Sequence, residues 1–68
     1  MTLRELRESS GKTRAEVAAS LWVTVQAIYK YEQGKRKLSI EQVLILSKLY
    51  GESAEDIIVA QLNSQKAQ

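Results

Sequence analysis

Val25, Gln26, Tyr29, Lys30 and Gln33 stand at a spacing that puts them on one side of a helix. At about 100° per residue they fall within roughly 140° of arc, while Ile28 and Tyr31 point the other way. A glutamine amide donates and accepts in one plane, a lysine ammonium only donates, and a valine presents a small apolar cap. Side chains of these types on a protruding helix can read the edges of flat heterocycles. Gln26 can pair with an adenine edge through two hydrogen bonds, Val25 can cover a thymine methyl, and Lys30 can donate to guanine acceptors. Tyr29 can serve either a base or a phosphate. Taken alone, Gln33 reads as part of a solvated polar face.

Other chemistries lack their residues. The chain has no cysteine and no histidine, which removes thiolate metal sites, disulfides, the commonest metal ligand and the usual proton shuttle at neutral pH. Every serine or threonine with a clear position fits a helix cap, and most carboxylates fit capping boxes or exposed faces. No nucleophile, base and acid converge, so no enzyme is expected. Carboxylates at no ligand spacing argue against a metal, and no cofactor is expected.

The reading arc needs elements to hold it. Gly11, Gly34 and Gly51 fall where apolar periodicity breaks, and there is no proline. Helix starts are marked by a hydroxyl residue followed three positions later by an acid or amide: Thr2 with Glu5, Thr13 with Glu16, Ser39 with Gln42, and Ser53 with Asp56. Thr24 offers a cap without the box, because Ala27 stands at the third position. Five helices are predicted, near 3–9, 14–21, 25–33, 40–50 and 54–63. Only Trp22, Val23 and Thr24 separate the second from the third, so these two must turn sharply on each other.

The expected core follows helical intervals: Leu3 and Leu6; Val17, Ala18 and Leu21; Ile28 and Tyr31; Ile40, Val43, Leu44, Leu46 and Tyr50; then Ile57. Val23 is expected to plug the turn. With 68 residues, 44% of them hydrophobic, the chain can build one core. We expect one all-α domain over residues 1–63 and a short polar tail over 64–68. The charged opening MTLRELRESS and the lack of any long apolar run predict neither signal peptide nor membrane span, so a cytoplasmic location is expected. Net charge is only +2, but residues 1–37 hold eight Lys/Arg against four Asp/Glu, and residues 38–68 two against four. The basic half is the one with the reading arc.

The run TRAEVAASLWVTVQAIYKYEQGKRKLS resembles the helix-turn-helix of the lambda repressor and Cro family, whose bacterial relatives form the XRE-like class. The likeness extends from Leu3 to about Ile57. It takes in LRELRE, the small Ala18 that lets two helices approach, the Val23 plug, the Ile28 anchor, the YEQGKRK exit and the capped SIEQVLILSKLYG helix. It implies a compact five-helix lambda-repressor-like fold and a regulator of transcription that binds double-stranded DNA and acts as a repressor. It points to Val25, Gln26, Tyr29 and Lys30 as base contacts. It also implies a structural ion pair between Arg7 and Glu32.

Phosphate contacts are expected at the start of the second helix, where Thr13 and Arg14 stand beside free N–H groups and a favourable dipole, and from Lys35, Arg36 and Lys37 after Gly34. Thr24 and Gln33 join this set. Two departures from the family pattern stand out. Trp22 replaces the usual glycine after the second helix, and a left-handed backbone there would cost roughly 1 kcal/mol or more. We expect the indole to pack at the back of the motif, the alternative being an aromatic contact to DNA or a partner. Ala27 stands where a small polar residue is usual. In addition, Ile45, Leu49, Ile58 and Leu62 form an apolar surplus, absorbed by a folded-back fifth helix or placed on a dimer face.

A domain this short touches few phosphates, so a homodimer on an inverted-repeat operator is expected. The rival reading is a protein-interaction module, such as an antitoxin or a coactivator-like factor built on the same fold. Gln26, Lys30 and the Lys35–Lys37 run in a DNA-compatible arrangement favour DNA.

Overall fold

In a computed structural model, which describes residues 1–66, the chain forms α1 (Leu3–Ser9), α2 (Arg14–Leu21), α3 (Val25–Glu32), α4 (Ile40–Tyr50) and α5 (Ala54–Lys66), with no strand among the described residues. Three starts are closed by full capping boxes: Thr2 with Glu5, Thr13 with Glu16, and Ser39 with Gln42. Thr24 caps α3 through its side chain alone, accepting from the Ala27 N–H at 3.1 Å. At the fourth expected box only half is made: Ser53 Oγ accepts from the Asp56 N–H at 3.1 Å.

The helix ends share one geometry. After α1, α2 and α3 the chain turns through a left-handed residue, and the N–H of the next residue reaches back to a carbonyl five positions earlier: Lys12 to Arg7, Val23 to Ala18 and Lys35 to Lys30. Glu52 does the same to Ser47 after α4. The left-handed residues are Gly11, Trp22, Gly34 and Gly51, so one of four equivalent positions carries a tryptophan, at φ 60.

Leu3, Leu6, Val17, Ala18, Leu21, Ile28, Tyr31, Val43, Leu46 and Ile57 are buried as expected, joined by Ala27 and Ala60, and Val23 packs against them from the turn. Two expected core residues are not there. Ile40 is 81% exposed and Leu44 52%, because α4 turns Val43 and Leu46 inward and the stripe through positions 40 and 44 faces solvent. Tyr50 is half-buried against the core. Trp22 is 91% exposed, so the expected packing role is wrong: the left-handed cap aims the indole away from the core that Val23 enters.

α5 also runs past its expected end. Residues 64–66, expected to begin a polar tail, are its last turn, and Ser64 is buried. Ser64 Oγ accepts from the Leu3 N–H at 2.9 Å and donates to the Ala60 carbonyl at 2.8 Å, which satisfies an N–H at the start of α1. The rest of the expected tail, residues 67–68, lies outside the described residues.

Candidate nucleic-acid interface

α3 is amphipathic because its inward residues lock it in place. Ala27, Ile28 and Tyr31 are buried, and the Tyr31 hydroxyl accepts from Gln42 Nε2 at 3.0 Å. Gln42 also closes the α4 capping box through its other amide atom, so one side chain ties the start of α4 to α3. The opposite side of α3 carries Val25, Gln26, Tyr29 and Lys30, all exposed. Gln33 caps the helix C-terminus and is half-buried.

Of the expected phosphate contacts, Lys35, Arg36 and Lys37 are exposed just beyond Gly34, while Leu38 returns to the protein and its N–H donates to Gln61 Oε1 at 2.6 Å. The basic run is therefore a short arch held at both ends. Arg36 is not wholly free within it: its guanidinium carbon lies 5.6 Å from the centre of the Tyr31 ring. Thr24 and Thr13 are exposed, and both hydroxyl oxygens already accept cap hydrogen bonds.

At the start of α2 the capping box takes up part of the donor set. Glu16 Oε1 accepts from the Thr13 N–H at 2.9 Å, and Thr13 Oγ1 accepts from the Glu16 N–H at 3.1 Å. Among the described residues, the N–H groups of Arg14 and Ala15 remain without a protein partner there. The Thr13 backbone N–H first, and the Thr13 side chain second, hold the Glu16 pKa below the ordinary glutamate value.

Behind the helices, Arg7 Nε donates to Glu32 Oε2 at 2.6 Å, Nη2 reaches Oε1 at 3.4 Å, and Nη1 donates to the Lys12 carbonyl at 3.1 Å. The two side chains are only 9% and 5% exposed. The hydrogen bond to Glu32 raises the Arg7 pKa against the opposing effect of burial. Tyr50 lies in the same electrostatic environment. Burial pushes its phenol up to about 12, with the Glu32 charge adding to the rise and Arg7 opposing it.

Glu32 has a second partner that the sequence does not disclose. Arg14 Nε donates to Oε1 at 3.2 Å, and the Arg14 guanidinium carbon stands 5.1 Å from the centre of the Tyr29 ring. Its expected role was phosphate contact alone. Nothing local marks this arrangement, since residues 14, 29 and 32 meet only once α2 and α3 have crossed.

The apolar surplus divides. Ile45, Ile58 and Leu62 are exposed on α4 and α5, whereas Leu49 packs against the core. Among the described residues no group of three or more carboxylates could hold a metal ion, and no helix is long and apolar enough to cross a membrane. A family model described as helix-turn-helix matches residues 3–57, most of the chain. No curated protein matches, and no solved structure does.

Proposed function

Because this chain belongs to the lambda-repressor-like helix-turn-helix family of DNA-binding regulators, we propose that it reads a specific duplex sequence with α3 and represses transcription from it. The observation that carries this reading is the division of α3 into a buried side, Ala27, Ile28 and Tyr31, and an exposed side bearing Val25, Gln26, Tyr29 and Lys30. An inward face this well anchored fixes the outward one, and fixed donors and acceptors are what base discrimination requires. Lys35, Lys37 and Arg36 supply phosphate charge beside the groove, with Arg14, Thr13, Thr24 and Gln33 at its margins. Binding therefore weakens as salt rises, by counterion release.

The domain measures 26 × 24 × 22 Å. That is shorter than one duplex turn of about 34 Å, so a single copy covers one half-site. Two copies reading an inverted repeat double the contacts, and Ile45, Ile58 and Leu62 provide the apolar surface for pairing. Leu49 contributes from beneath.

Selection from a random duplex library at moderate salt tests the reading, with Gln26→Ala and Lys30→Ala run alongside. An inverted repeat that loses definition in both variants is expected. Retained DNA without a motif would leave only an electrostatic patch and would shift the reading to a protein-interaction module. Sedimentation with and without the selected duplex tests the pairing, and a single copy in both states would remove the dimer.

A further inference from the structure

Tyr29 is half exposed on the outward arc, where an unrestrained ring would sample several rotamers and carry its hydroxyl through positions several ångström apart. It is not unrestrained. The Arg14 guanidinium lies over the ring at 5.1 Å, and its Nε is held by Glu32 Oε1 at 3.2 Å. Glu32 is fixed in turn by Arg7 at 2.6 Å. A line of contacts thus runs from the interior, through Arg7, Glu32 and Arg14, to an exposed aromatic ring.

Resting on the DNA-reading proposal above, we infer that Arg14 is a positioning residue for Tyr29, and that it sets which base pair is accepted at the step Tyr29 faces. Planarity is central to this role. A guanidinium can lie flat on a ring while its edge donates to a carboxylate, and among the described residues the two Nη groups of Arg14 make no protein hydrogen bond, which leaves them for a phosphate. A lysine at position 14 keeps the charge but is a point donor with no face to lay on the ring. Phosphate contact and base choice are therefore coupled through one side chain. DNA docking tightens Arg14, and a tightened Arg14 narrows the positions open to Tyr29.

The test uses the full chain and the duplex retained from a random library, together with every single-base-pair variant of that duplex. Arg14→Lys, Tyr29→Leu and the double variant are compared with the wild type, with melting curves to establish that each is folded. Arg14→Lys should cut discrimination about fivefold to tenfold at one step only, a share of the ordinary cost of a mismatch. Tyr29→Leu should abolish discrimination at that same step, and adding Arg14→Lys to it should change nothing further there. In the free protein, the Arg14 δ-proton resonances should lie upfield, under the ring current, and return to ordinary positions in Tyr29→Leu.

A uniform loss of affinity across all duplexes, additive with Tyr29→Leu, would make Arg14 a phosphate contact alone and overturn the inference while leaving the DNA-reading proposal intact. Unshifted δ-protons in the wild type would overturn it in the same way. A wild-type protein that retains no motif would overturn both.

Discussion

Arg7 and Glu32 meet through a 2.6 Å hydrogen bond between α1 and the last residue of α3, with both side chains almost wholly buried. The bond joins the first helix to the base of the exposed reading arc. Glu32→Ala would leave the Arg7 guanidinium buried without its carboxylate. We expect a loss of about 3 kcal/mol, the low end for a broken buried pair because water is never far away in so small a domain. That approaches the whole stability of a single core this size. Replacing both partners, Arg7→Met with Glu32→Leu, should recover part of the loss. Urea denaturation distinguishes the cases, and a double variant no more stable than Glu32→Ala would contradict the argument.

Trp22 occupies a left-handed position that three glycines occupy at the equivalent helix ends, and its side chain is 91% exposed. Trp22→Gly removes Cβ strain and forfeits little packing, though it loosens the unfolded chain. A net gain of about 1 kcal/mol is expected, which raises Tm by roughly 4–8 °C in a domain this small. An unchanged or lower Tm would mean that the indole has a stabilising contact in solution.

Gly34 differs from Gly51 although both are left-handed. A Cβ at Gly34 would come within 2.6 Å of the Gln65 Cα and 2.8 Å of the Ser64 carbonyl oxygen, whereas at Gly51 it would meet nothing within 4 Å. Gly51→Ala should cost about 1 kcal/mol, from backbone strain alone. Gly34→Ala adds a clash with backbone that cannot turn aside, and should cost clearly more. Equal costs by thermal melting would show that the last turn of α5 does not press on the exit of α3.

Glu5 and Glu16 both have pKa values below the ordinary one, first through the backbone N–H and then the hydroxyl of Thr2 and Thr13. A depressed folded pKa means that the unfolded state binds protons more readily. The contribution is present above the unfolded value of about 4.3 and is lost as pH falls through the folded value. Glu5→Gln with Glu16→Gln keeps both boxes, as Gln42 does in α4, but removes their titration. The difference in Tm between wild type and this variant should therefore shift against the wild type on acidification from pH about 6 to about 3. A constant difference would assign acid sensitivity to other groups.

Five helices are legible in the residues alone, because their start signals are local: a hydroxyl that caps and, at four of the five, an acid or amide three residues on. Most of the core is legible too, because helical periodicity records which side is buried. The outward placement of Val25, Gln26, Tyr29 and Lys30 follows for the same reason. Three of the left-handed helix ends show themselves as glycines, and the fourth, at Trp22, is marked only by the family pattern.

What remained for the folded chain to settle depends on how helices cross. Periodicity assigns Ile40 and Leu44 to the core, yet a helix buried on one narrow stripe leaves its flanks in water, and the packing of α4 chooses which stripe. Ser64 reads as tail because its value lies in a hydrogen bond to Leu3, 61 residues away. Arg14 reads as a free cation at a helix start. Its hold on Glu32 and Tyr29 exists only because α2 and α3 bring together side chains from different turns, and no local pattern of residue types encodes that distance.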